Sequence, residues 1–116
     1  MALCIIGAKD ISVYMKQKDA VLADLREPSE YENGHIPGAV NIPAERLEAF
    51  MRRTDRSRIH IFYCQHGSMS FQEGKKYARA GFKICSLAGG LDGYREWQKR
   101  QPGGWVKGGQ ITPWQG

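Results

Sequence analysis

The sequence predicts an α/β fold, with a central parallel sheet of about five strands flanked by helices on both faces. Three observations carry this. Short apolar runs rich in β-branched and aromatic residues alternate with segments of helical spacing. The strand candidates are almost continuously apolar, as suits a sheet covered on both faces. The 116 residues, 41% of them hydrophobic, make one domain able to bury a core without disulfide support.

The elements follow in order. Ile5-Ile6 reads as a short first strand. Ile11, Tyr14 and Met15 have helical spacing, with Asp10 as the expected cap. Ala20 to Leu25 is a compact apolar strand, and Pro28 to Glu32 a helical turn with proline at its start and Gly34 closing it. His35-Ile36-Pro37-Gly38 is a turn leading into a strand at Ala39 to Ile42. Leu47, Phe50 and Met51 stand at i, i+3 and i+4 of the next helix. Arg58 to Tyr63 is the most strand-like run, and Phe71 to Ala80 the following helix, with Gly81 past its end. Phe82 to Leu87 is a last strand, and Gly89-Gly90 turns into a helix at Gly93 to Lys99. Residues 1–103 form the predicted domain; 104–116 are a Gly-rich tail whose Trp105 and Trp114 either fold back onto the domain, the favoured reading, or dock on a partner.

Composition narrows the function. No apolar run approaches the roughly 18 residues of a membrane span. The N-terminus has no basic segment before its short apolar run, so a signal peptide is not expected and a cytoplasmic location is. The net charge of +5 favours anions, but the Lys and Arg residues are dispersed along the sequence, so no nucleic-acid partner is expected. Cys4, Cys64 and Cys85 have no C-x-x-C spacing, which argues against a structural zinc site or a thioredoxin-type motif. Cys4 and Cys85 lie among apolar residues and read as buried strand positions.

Cys64 differs from them by position. It ends the strand at 58–63 and opens the run Gln65-His66-Gly67-Ser68-Met69-Ser70 before a helix. The first turn of a helix offers unpaired N–H groups and partial positive charge, which stabilise an anion such as a thiolate. Ser70, or Ser68 before it, is placed to cap that helix. Against this stands the ordinary alternative, a small buried hydrophobe at a strand end.

Three stretches together favour the reactive reading. Asp24-Leu25-Arg26-Glu27-Pro28 with Tyr31, then Gly34 to Ala39 and Asn41-Ile42-Pro43, resemble the N-terminal signature of rhodanese domains. Cys64 with Gly67 and Ser70 resembles the active-site loop of that family, and Gly89-Gly90 with Trp97 its C-terminal signature. The resemblance covers roughly residues 5–100 and implies a single-domain, rhodanese-like fold. The activity it implies is that of a thiosulfate:cyanide sulfurtransferase. By that resemblance, Cys64 would take the sulfane sulfur of thiosulfate, or of another persulfide donor, and pass it from a persulfide to cyanide, a small thiol or a protein acceptor. The resemblance implies no metal and no organic cofactor, and a monomer or weak homodimer. Gln65, His66, Gly67, Ser68, Met69 and Ser70 are the substrate-binding candidates, their backbone N–H groups converging on the sulfur anion.

The loop departs from the family in its charge. Many members carry Arg or Lys in the loop, often five positions after the Cys, where this chain has Met69. His66 is the only loop side chain able to carry positive charge, and it either helps bind the anion or faces solvent. Asp24 and Arg26 are expected to pair structurally and to support the loop. His35 reads as a hydrogen-bonded turn residue, His60 as packing or edge, and Tyr94 with Trp97 as core or groove wall. A phosphatase or arsenate reductase of the Cys-loop type is disfavoured, because it needs an Arg closing the loop. A persulfide carrier or non-enzymatic binding module is the remaining alternative.

Overall fold

The computed structural model describes residues 3–101. The tail, with Trp105 and Trp114, and the domain boundary at 103 lie outside the described residues. Five strands, β1 (Cys4–Ile6), β2 (Val21–Asp24), β3 (Val40–Asn41), β4 (Ile59–Tyr63) and β5 (Lys83–Leu87), form one sheet in the order β1-β5-β4-β2-β3. Every neighbouring pair is parallel. Between the strands run α1 (Ile11–Met15), which follows a 3₁₀ turn at Ala8–Asp10, α2 (Pro28–Glu32), α3 (Ala44–Arg53) and α4 (Ser68–Arg79); α5 (Gly90–Lys99) follows β5. Among the described residues, no helix is long and apolar enough to cross a membrane.

The two-residue period of the strands explains why both faces are covered. On one face Leu22, Ile61, Tyr63, Cys85 and Leu87 pack with Ile11, Leu91 and Tyr94 from α1 and α5. On the other Val21, Ala23, Phe62 and Ile84 pack with Leu47, Met51, Tyr77 and Ala78 from α3 and α4. A strand with a core on each side is buried at every position, as β2 is throughout.

Five local expectations need correction. Asp10 does not cap α1: its Oδ2 instead accepts the Gly7 N–H at 3.4 Å, closing the 3₁₀ turn that precedes the helix. Helix α4 starts at Ser68 rather than 71, because Gly67 takes a left-handed conformation and turns the chain three residues earlier. Neither Ser68 nor Ser70 makes a side-chain cap there. Helix α5 likewise starts at Gly90, once Gly89 has made a left-handed turn. Of the cysteines, Cys85 is buried, whereas Cys4 is only half-buried because β1 lies at the sheet edge.

Candidate active site

Cys64 follows the last residue of β4, the middle strand of the sheet, so it sits at the carboxyl edge where parallel sheets place their ligand crevices. The turn at Gly67 (φ 107°) folds the loop back over the sulfur. As a result Gly67 N–H and Ser70 N–H, at the start of α4, both donate to Cys64 Sγ, at 3.2 and 3.4 Å. Gly67 and Ser70 are thus the loop residues whose amides reach the sulfur. Ser70 Oγ donates to the Gly67 carbonyl at 3.2 Å and meets Ser86 Oγ of β5 at 3.1 Å. This buried hydroxyl pair fixes the first turn of α4 against the sheet.

A second helix holds the other side of the loop. The amides of Leu91 and Asp92, in the first turn of α5, donate to the carbonyls of Cys64 (2.9 Å) and Gln65 (3.1 Å). The approach is possible only without a side chain at Gly90, where a Cβ would lie 2.4 Å from the Cys64 carbonyl oxygen. One helix N-terminus therefore faces the sulfur and another anchors the backbone that carries it.

Asp24 ends β2 and is fully buried. Arg26 grips its carboxylate through Nε (3.0 Å to Oδ1) and Nη2 (2.8 Å to Oδ2), and donates further to the Gly34 carbonyl at 2.8 Å and to Gln65 Oε1 at 3.2 Å. Burial works against the charge on Arg26, but the Asp24 carboxylate outweighs it and raises the Arg26 pKa. This ion pair joins β2, the turn after α2 and the Cys64 loop. Asn41 secures it by donating to the carbonyls of Asp24 and Arg26 at 3.1 and 3.0 Å.

The remaining loop side chains face outward. Gln65 Nε2 donates to Asp92 Oδ1 at 2.6 Å, and His66 Nδ1 lies 2.6 Å from Asp92 Oδ2. Ser68 is exposed, as are Met69 (37%) and, just beyond the loop, Phe71 (39%). The mouth is therefore partly apolar and carries the Asp92 carboxylate, while the Arg26 guanidinium that bonds Gln65 is already neutralised by Asp24. Asp92, Ser86 and the amide of Leu91 are absent from the sequence reading. Their link to Cys64 is tertiary, and Asp92 reads in sequence as an ordinary acid in a helix first turn. Cys85 offers no comparable site: burial, and then its neighbour Cys4, push its thiol up to about 12, leaving little thiolate near neutral pH.

Comparison with known proteins gives concordant likenesses. A family model described as rhodanese-like domain matches residues 8–97. The thiosulfate sulfurtransferase GlpE of Coxiella burnetii (strain RSA 331 / Henzerling II) is 30% identical over 89 residues, covering 76% of this chain and 80% of that protein. A rhodanese-related protein from Thermoplasma volcanium superposes with a TM-score of 0.73 at 26% identity, over 85% of this chain and 95% of that one. The BH2092 protein of Bacillus halodurans does so with a TM-score of 0.70 at 25% identity, over 81% and 72%.

Proposed function

Because this chain belongs to the rhodanese-like domain family, we propose that it is a sulfurtransferase that carries sulfane sulfur as a persulfide on Cys64. The observation that supports this most is the pair of amides, from Gly67 and Ser70, aimed at Cys64 Sγ from the start of α4. In the first half-reaction the Cys64 thiolate attacks the outer sulfur of thiosulfate. The S–S bond of the donor breaks with its electron pair on the sulfite that leaves, and the new S–S bond leaves a persulfide anion on the protein. In the second, an acceptor (cyanide in an assay, a small thiol or a protein thiolate otherwise) takes the outer sulfur and restores the Cys64 thiolate. Splitting the transfer through a covalent intermediate turns one difficult step into two easier ones. The two amides stabilise negative charge on sulfur before and after each step, at no cost in reorganisation.

Thiosulfate is the donor that the name of the Coxiella relative points to. The loop itself, residues 65–70, carries no Lys or Arg, so turnover with thiosulfate is expected to show a high KM, and a less charged persulfide is an alternative donor. Thiocyanate formation from thiosulfate and cyanide tests the proposal. The wild-type protein should turn over and Cys64→Ser should not; retained activity in Cys64→Ser would overturn it.

A further inference from the structure

The fold collects arginines that look scattered in the sequence. Arg46 and Arg53 lie seven residues apart on α3, two helical turns or about 10 Å along its axis. Arg58 precedes β4. All three line one groove of about 490 Å³ between α3 and the sheet edge formed by β3, and among the described residues no carboxylate lines it. Arg58 Nε donates to the neutral Asp19 carbonyl at 2.7 Å. Among the described residues, Arg46 and Arg53 form no ion pair, whereas Arg52 on the same helix is paired with Glu48. The floor of the groove is apolar, built from Ile42 and the half-buried Phe50. The adjoining β3 pairs only with β2 among the described strands, and its Val40 is 47% exposed.

From these features we propose that the groove is a docking site for an acidic, extended polypeptide segment of a partner protein. Guanidinium groups bind carboxylates bidentately, which meets the charge requirement. An apolar floor beside an open strand edge suits an extended chain with alternating side chains. A duplex would use the same charges, but the footprint is small for one, and a single strand is left as an outcome of the test. Asn41 connects the groove to the support of the Cys64 loop, since it both lines the groove and bonds the carbonyls of Asp24 and Arg26.

The test uses the full chain and a short fluorescent peptide of alternating Glu and Leu, read by anisotropy. An oligothymidylate of matched charge runs in parallel. The peptide should bind, and the double variant Arg46→Glu/Arg53→Glu should bind it at least about tenfold more weakly. Lys16→Glu/Lys18→Glu, which removes the same charge elsewhere, should bind as wild type does. Both variants change exposed residues, and unchanged circular dichroism checks that they fold. Thiocyanate turnover from free cyanide should be the same in all three proteins, so failure of docking and failure of the sulfurtransferase reading are separable. Three results would overturn the proposal: no peptide binding, equal loss in the two double variants, or tighter binding of the oligonucleotide than of the peptide.

Discussion

At the scale of single residues, the environment of one sulfur carries the argument. Cys64 is 3% exposed and receives two amide hydrogen bonds, so it is positioned by backbone rather than by a charged neighbour. Replacing it with Ser should lower transfer at least ~10³-fold, because a reaction that runs through a nucleophile does not survive its loss. Cys85→Ala should leave the rate within about twofold, measured by thiocyanate formation, since little of its thiol ionises near neutral pH. The charge-poor mouth gives a further expectation. Met69→Arg places a guanidinium at an exposed loop position, and the KM for thiosulfate should fall roughly two- to fivefold, the reach of a solvent-exposed charge worth about 0.5–1 kcal/mol. Added salt should erase much of that gain, and an unchanged KM would show that loop charge does not limit the donor. The importance of Cys64 is legible in sequence because strand, Cys, Gly and helix fall in immediate succession. Its support is less legible: Asp92 and Ser86 are 28 and 22 positions away, and only the fold brings them back.

At the scale of elements, two helix starts and one buried ion pair hold the loop. Gly90→Ala should destabilise the protein by more than about 2 kcal/mol, read from denaturant midpoints. An L side chain at φ 59° is strained, and the new methyl would meet the Cys64 and Gln65 carbonyls. Transfer should fall as well, because the same contact positions the Cys64 backbone. Asp24→Ala should cost about 3–5 kcal/mol by leaving Arg26 charged and unpaired in a buried site. The sequence shows that glycines are needed at 89 and 90 but not what they approach. It shows Ser68 and Ser70 as caps, while the chain uses Gly67 to turn and Ser70 to bond inward. Cap preferences describe isolated helices, and here the demand to bring the Ser70 amide to sulfur prevails.

At the scale of the whole molecule, the two-sided core ties stability to one buried imidazole. His60 lies fully buried on β4, between Phe50 and Phe82, with Nε2 2.8 Å from Thr54 Oγ1 and Nδ1 without a partner among the described residues. Burial first, and then the charge of Arg58, lower its pKa below the ordinary 6.5. The folded state therefore binds this proton less readily than the unfolded chain. The corresponding stability is fully present above about pH 6.5 and is lost as pH falls through the lowered value. Midpoints of urea unfolding should fall over that range, and His60→Leu should flatten the profile; a parallel fall in the variant would assign the effect elsewhere. The sheet itself is legible, because its inner strands are largely apolar runs separated by helical spacing or turn residues. The Arg46–Arg53–Arg58 groove was not: twelve positions of sequence separate its ends, and α3 and the sheet edge together bring them to one surface.

The most direct measurement is intact mass after brief exposure to thiosulfate and removal of excess reagent, for the wild-type protein and Cys64→Ser. The expected result is a gain of one sulfur atom in the wild type, released by cyanide, and no gain in the variant. A sulfur adduct that persists in Cys64→Ser, or a wild-type protein that stays unmodified by thiosulfate and by a small persulfide donor while Cys64 can still be alkylated, would contradict a persulfide on Cys64.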